Sequence, residues 1–247
     1  MPTITVNHVT KYYKTERRSF FRRAHREIGV QDVELTVQQG EFVSIIGSSG
    51  SGKTTLMKLL SGQMKPNQGD VQVNGKSISR MSASQKKRLP LLIGWVDQQH
   101  TLNHRITIEE NLKLVAKIGE KKFDDEDDFD ARVRKVLGLT GLAGMEKKFP
   151  GELTAGERRR VGLAQALINS PPILVLDEIT ANLDKDSMWD VFLLLNELNQ
   201  KGTTVIMTTR NSEYVNMLRR RVITLVDGKV YSDEVKGRYG QAVKKNA

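Results

Sequence analysis

The 247-residue chain predicts an α/β fold with a mostly parallel sheet, interrupted by an inserted helical subdomain. Three observations predict it. An apolar strand, Phe42-Val-Ser-Ile-Ile46, runs into a glycine-rich loop and then a helical run, Thr55-Leu-Met-Lys-Leu-Leu60. Apolar strands alternate with helical patterns along the chain. The stretch from about residue 98 to 164 reads instead as consecutive helices.

The elements follow in order. Ile4-Thr-Val6 and Val33-Glu-Leu-Thr-Val37 alternate apolar and polar, as half-buried strands do. Asp70-Val-Gln-Val-Asn-Gly75 is a short strand ending at a turn, and Leu91 to Val96 is apolar and strand-like. Ile106 to Leu114, Phe129 to Leu139 and Gly156 to Ile168 read as helices, broken by Gly138, Gly141, Pro150 and Gly151. Ile173-Leu-Val-Leu176 is a buried strand behind Pro171-Pro172, Ser187 to Asn199 a helix, and Thr203 to Thr208 a second buried strand. Asn211 to Leu218 is helical, and the central Asp227-Gly228 of Arg221 to Tyr231 is a hairpin signal. This divides a single domain into a core of residues 1–97 and 165–235, a helical subdomain of residues 98–164 and a tail of residues 236–247.

Composition bounds the function. The chain has no Cys, which excludes a disulfide framework and thiol chemistry and suits a reducing cytoplasm. No apolar run approaches the ~20 residues of a bilayer crossing. The N-terminus, Met1-Pro-Thr-Ile-Thr-Val6, does not read as a signal peptide. A formal net charge of +10 suits nucleic acid, anionic lipid or an acidic protein, and charge does not choose among them. Arg17, Arg18, Arg22, Arg23 and Arg26 surround Phe20-Phe21, a pattern that fits a solvated loop as well as a membrane surface or docking partner. Asp124 to Asp128 form an acidic run that reads as a solvated loop. His100 and His104 lack metal-ligand spacing, and Trp95 and Trp189 read as packing residues.

The chemistry sits at strand ends. Gly47-Ser48-Ser49-Gly50-Ser51-Gly52-Lys53-Thr54 is a phosphate-binding loop in the strand–loop–helix setting that such a loop requires. Its glycines let backbone N–H groups close on phosphate oxygens, and the helix N-terminus adds positive potential. Lys53 can reach the β and γ phosphates of a nucleotide, and the Thr54 hydroxyl can ligate Mg²⁺. Asp177 and Glu178 end the strand Ile173 to Leu176; the first carboxylate can hold Mg²⁺ and the second can orient and activate a water. Gln98 ends the strand at Val96-Asp97 and offers a side-chain amide to the metal. Neither Gln98 nor Asp184 would be notable alone.

Val43 to Leu60, Gln98, Leu153-Thr-Ala-Gly-Glu-Arg-Arg-Arg160, Ile173 to Glu178 and Asp184 stand in the order and spacing of ABC-type ATPase domains, which the chain resembles over nearly its whole length. The resemblance implies a P-loop core, an antiparallel β subdomain and a helical subdomain, with ATP and Mg²⁺ bound. It also implies that two such domains, as a homodimer or with a similar paralogue, sandwich two ATP molecules. Thr154, Ala155, Gly156 and Glu157 would then form the signature facing the partner's γ-phosphate, with Thr55 and Asp184 also lining the nucleotide site. Tyr13, or else Tyr12, would stack on adenine.

The C-terminal third, through Gly202 to Thr209, Met217 to Gly228, Ser232-Asp-Glu234 and Tyr239-Gly240, is similar to the cell-division ATPases of the FtsE group. That implies an FtsX-like membrane partner, a peripheral place on the cytoplasmic face of the membrane, and a role at the septum. Neighbouring groups drive lipoprotein release and export. A nucleic-acid role is not expected, because such ABC proteins usually carry two ATPase domains and this chain has one phosphate loop.

Three positions depart from the family. Arg210 stands where the switch histidine is usual, and arginine donates but cannot accept a proton. That predicts ATP binding with slow hydrolysis, or at the extreme a nucleotide-gated scaffold. Ala155 replaces a glycine of the signature, and Ile179 replaces the proline after the catalytic Glu.

Overall fold

The computed structural model describes residues 2–15, 25–97, 101–118, 126–181 and 183–240. In chain order its elements are β1 (Pro2–Thr15), β2 (His25–Gln38), β3 (Phe42–Ile46), α1 (Lys53–Leu60), β4 (Gln68–Val73), β5 (Lys76–Ser77), α2 (Ala83–Lys86) and β6 (Ile93–Val96). There follow α3 (Ile108–Ala116), α4 (Glu126–Leu139), α5 (Ala155–Leu167), β7 (Ile173–Asp177), α6 (Lys185–Gln200), β8 (Thr204–Thr208), α7 (Ser212–Leu218), β9 (Arg221–Val226) and β10 (Lys229–Glu234). Gln98, His100, the segment Arg17 to Arg23, Asp124, Asp125 and residues 241–247 lie outside the described residues. Among the described residues, no helix is long and apolar enough to cross a membrane.

The chain forms two compact units, Met1–Met81 with Ile206–Ala247, and Ser82–Val205. In the first, β2-β1-β4-β5 make an antiparallel sheet. Its inner face is a cross-strand apolar ladder: Ile4 stands opposite Val37 and Val73, and Val6 opposite Leu35 and Val71, all buried. β1 and β2 run far beyond the short alternating stretches visible in sequence. Register shifts between Val6 and Val9, Val9 and Lys11, and Lys11 and Tyr12 swap the faces and erase the period of two. β3 pairs in parallel with β9, and β9 pairs antiparallel with β10 through the turn at Asp227-Gly228. All five residues of β3 are buried, which is why the strand reads as a continuous apolar run.

Arg221 fastens this unit. Its guanidinium donates to Asp233 at 2.7 and 2.8 Å, to Glu41 at 2.9 Å and to the Thr36 carbonyl at 2.7 Å.

In the second unit β6 and β7 pair in parallel, Val96 opposite Leu176, and α5 packs on β6 and against α3 and α4. β6 starts at Ile93, because Leu89–Leu91 forms a 3-10 turn with Pro90 inside it. α4 starts at Glu126, ahead of the apolar period, since a first turn needs no apolar face. Asn111 is buried in α3. Its amide donates to the carbonyls of Asn103, Ile106 and Thr107, its Oδ1 accepts from Asn103 N–H, and its own carbonyl accepts from Gln165 of α5. The loop after β6 is thereby tied to α3 and α5. Trp189 is 43% exposed on α6, so the packing expected of it is only partial.

Candidate active site

The loop between β3 and α1 belongs to the first unit. Ser51 N–H donates to Ser48 O at 3.2 Å, and Leu56 N–H to Gly52 O at 2.9 Å opens the helix. Lys53 is 5% exposed, and its Nζ donates to the carbonyls of Gly47 and Ser48, both at 2.8 Å. With those carbonyls turned onto the ammonium, the loop offers its N–H groups to an anion. A phosphate gives Lys53 a charged acceptor stronger than a carbonyl.

Two glycines make the loop possible. Gly52 caps α1 in the left-handed region, φ 98°, with no side-chain hydrogen bond to the first turn. A Cβ on Gly52 would stand 2.2 Å from Gly29 O, and one on Gly47 2.4 Å from Leu225 O and 2.5 Å from Ser51 Oγ. The inner wall therefore admits no side chain. The outer side is open: Ser48, Ser49, Gly50 and Thr54 are exposed. A cradle of this kind fits a phosphate chain, and the exposed Thr54 hydroxyl is an oxygen donor of the type Mg²⁺ takes.

The hairpin turn supports the loop from behind. Gly228 N–H donates to Ser51 O at 3.1 Å, and Gly228 O accepts from Gln31 N–H at 2.8 Å. Tyr13 stands beside α1, its hydroxyl 3.0 Å from Thr55 Oγ1 and 3.4 Å from Met64 Sδ. The Tyr12 ring carries the Arg26 guanidinium 4.6 Å from its centroid. Of the two aromatics, Tyr13 is thus the one tied to the phosphate-loop helix. Arg210 follows β8 and is exposed, next to the buried Thr209 and to Asn211, which caps α7 by accepting from Tyr214 N–H at 2.9 Å.

In the second unit β7 delivers Asp177, 0% exposed, and Glu178, 7% exposed. Glu178 has φ 47°, a left-handed conformation that a branched-free but bulky side chain adopts only when its surroundings impose it. Its carbonyl accepts from Ala181 N–H at 3.0 Å and from Arg159 Nη1 at 3.4 Å. Burial pushes the Arg159 guanidinium below its usual value, while the Asp97 and Glu178 carboxylates pull it up. Asp97 Oδ1 is buried with no hydrogen-bond partner among the described residues.

Also in this unit, Thr154 caps α5 in a reciprocal box: Thr154 Oγ1 accepts from Glu157 N–H at 3.2 Å, and Glu157 Oε2 accepts from Thr154 N–H at 2.7 Å. That backbone bond holds the Glu157 carboxyl below the usual range. Thr154 and Ala155 are exposed, so the helix terminus presents a hydroxyl and backbone N–H groups outward. A Cβ on Gly156 would lie 3.4 Å from Leu183 Cδ2, so the first turn of α5 lies next to Leu183, the residue before Asp184. Asp184 itself caps α6, accepting from Ser187 N–H at 2.8 Å, and that bond lowers its pKa. Ile179 is buried, 1% exposed.

Sequence reasoning missed Arg159 and Asn111. Arg159 had only a shared signal: Val161 to Leu167 are all buried, so Arg158, Arg159 and Arg160 each stand a turn or two from buried residues, and nothing in the sequence singles out Arg159. Asn111 had none, because a buried amide and an exposed one look alike in sequence.

Residues 30–181 match the family model described as ABC transporter. The cell division ATP-binding protein FtsE of Streptococcus pneumoniae serotype 2 (strain D39 / NCTC 7466) is 40% identical over 215 residues, 85% of this chain and 90% of that protein. The methionine import ATP-binding protein MetN of Bifidobacterium longum (strain NCC 2705) is 34% identical over 93% of this chain but only 56% of that protein. The dimeric structure of the ATP-binding cassette MJ0796 in a post-hydrolysis state, bound to ADP and Pi, superposes with TM-score 0.84 at 29% identity, covering 96% of this chain and all of that one.

Proposed function

The chain belongs to the ABC transporter family of ATPases, and from that membership we propose that it is the ATP-hydrolysing subunit of a bacterial cell-division machine, dimerising around ATP to drive an FtsX-like membrane partner. The observation that carries the dimer is the exposed α5 terminus at Thr154 and Ala155. It is a second phosphate-binding helix end in a chain that already has one at Gly52-Lys53, and it suits the γ-phosphate of an ATP held by another copy. The MJ0796 cassette is a dimer with the same fold. The division role and the FtsX-like partner are supported by similarity to FtsE over 90% of its length, whereas the methionine importer is matched over about half. The protein would work on the cytoplasmic face of the membrane, at the septum, held there by its partner.

In this reading the loop of residues 47–54 and Thr55 bind the phosphates, Tyr13 covers the base, and Thr154 to Glu157 and Asp184 close the site. Thr54, Asp177 and Gln98 would hold Mg²⁺, which when bound neutralises charge on the β- and γ-phosphate oxygens. Glu178 orients the attacking water and takes its proton. Arg210 stabilises phosphate charge without accepting a proton, so turnover is slow.

Steady-state ATP hydrolysis with Mg²⁺ tests this. Glu178→Gln should lower kcat by roughly 10²–10⁴-fold and sediment as a dimer in ATP. Arg210→His should raise turnover. An unchanged rate for Arg210→His would remove the slow-switch reading, and a monomer in ATP would remove the sandwich.

A further inference from the structure

We propose that Arg159 is a positioning residue for ATP hydrolysis, holding the Glu178 peptide in its left-handed turn and balancing the charge of Asp97. The proposal rests on Glu178 as the water-activating carboxylate.

Four observations in the second unit support it. β6 and β7 pair in parallel with Val96 opposite Leu176, so Asp97 and the Asp177-Glu178 pair leave the same sheet end. Arg159 comes up from α5, only partly exposed, and donates to the Glu178 carbonyl at 3.4 Å. Glu178 sits at φ 47°, a conformation that needs imposing, and its carbonyl accepts from both Arg159 Nη1 and Ala181 N–H. Asp97 has a buried oxygen with no hydrogen-bond partner among the described residues, a cost that a nearby cation reduces.

The arrangement has a functional consequence. Asp97 immediately precedes Gln98, and Glu178 immediately follows Asp177. One guanidinium therefore sets the electrostatics behind the ends of both strands, β6 and β7. Without it, two carboxylates share a partly buried environment, and the Glu178 backbone loses a donor. Glu178 should then leave its working position while the phosphate loop, in the other unit, continues to bind ATP. A displacement of about 1 Å at such a group is worth up to roughly 10² in rate.

The experiment compares wild type, Arg159→Gln, Arg159→Gln with Asp97→Asn, and Glu178→Gln. It reads kcat, KM for ATP and the thermal midpoint of the nucleotide-free protein. Arg159→Gln should lower kcat about tenfold to hundredfold with KM within about twofold. Asp97→Asn in that background removes the unbalanced charge and should recover most of the thermal midpoint but only part of kcat, because the Glu178 carbonyl still lacks its donor. The proposal is overturned if Arg159→Gln leaves kcat unchanged, or if the second substitution restores kcat in full together with the midpoint, which would make the donation to Glu178 irrelevant to turnover. Wild-type turnover in Glu178→Gln would instead defeat the reading of Glu178 itself.

Discussion

Lys53 illustrates how one residue can be structural and chemical at once. Its ammonium is buried and bonded to two carbonyls of its own loop. It shapes the cradle, and in the proposed reading it would exchange those acceptors for phosphate oxygens when nucleotide binds. Lys53→Met should weaken ATP binding by about 3 kcal/mol, roughly two orders of magnitude in Kd, measurable by titration with a fluorescent ATP analogue. The loop residues were legible in sequence because glycine spacing, strand and helix all constrain them. Arg159 was not, since its role depends on which strand ends lie above α5, and a run of three arginines gives no sign of which one turns inward.

Helix starts were more legible than strand ends. α3, α5, α6 and α7 begin at Thr107, Thr154, Asp184 and Asn211, each accepting a backbone N–H from the first turn. Such caps are written in residue type. β5 and α2 span two and four residues, too short for any period to show, and the bulges of β1 hide its length. The cap of α5 carries a pH dependence. Glu157 has a lowered pKa in the folded chain, because the Thr154 N–H bonds its ionised form. Its contribution is therefore present above the ordinary glutamate value of about 4.3 and is lost as pH falls through the lower folded value. Glu157→Gln keeps an acceptor without titrating, so thermal midpoints below about pH 4 should fall less steeply for this variant than for wild type.

At the scale of the whole molecule, two features dominate the first unit: the antiparallel sheet and the β3–β9–β10 strands that support the phosphate loop. Arg221 clamps them from a side chain 14% exposed, while its partners Glu41 and Asp233 keep about a third of their exposure. Arg221→Met should destabilise by roughly 2 kcal/mol, less than for a fully buried pair, as read from urea unfolding. The α/β class was legible because parallel strands buried on both faces appear as apolar runs. The order of strands within each sheet was not, since pairing is set by contacts between distant segments.

That distance has a consequence of its own. Arg221 bonds Thr36 across 185 residues, and the Gly228 turn closes behind Ser51 and Gln31. Loop-closure entropy of this size makes such contacts late in folding. During synthesis the glycine-rich segment leaves the ribosome well before its back wall, β9 and the Gly228 turn, is made. A nascent chain arrested before β9 should therefore carry the whole phosphate-binding sequence and still lack a finished pocket, so that nucleotide acts as a ligand of the completed fold and not as a template for it.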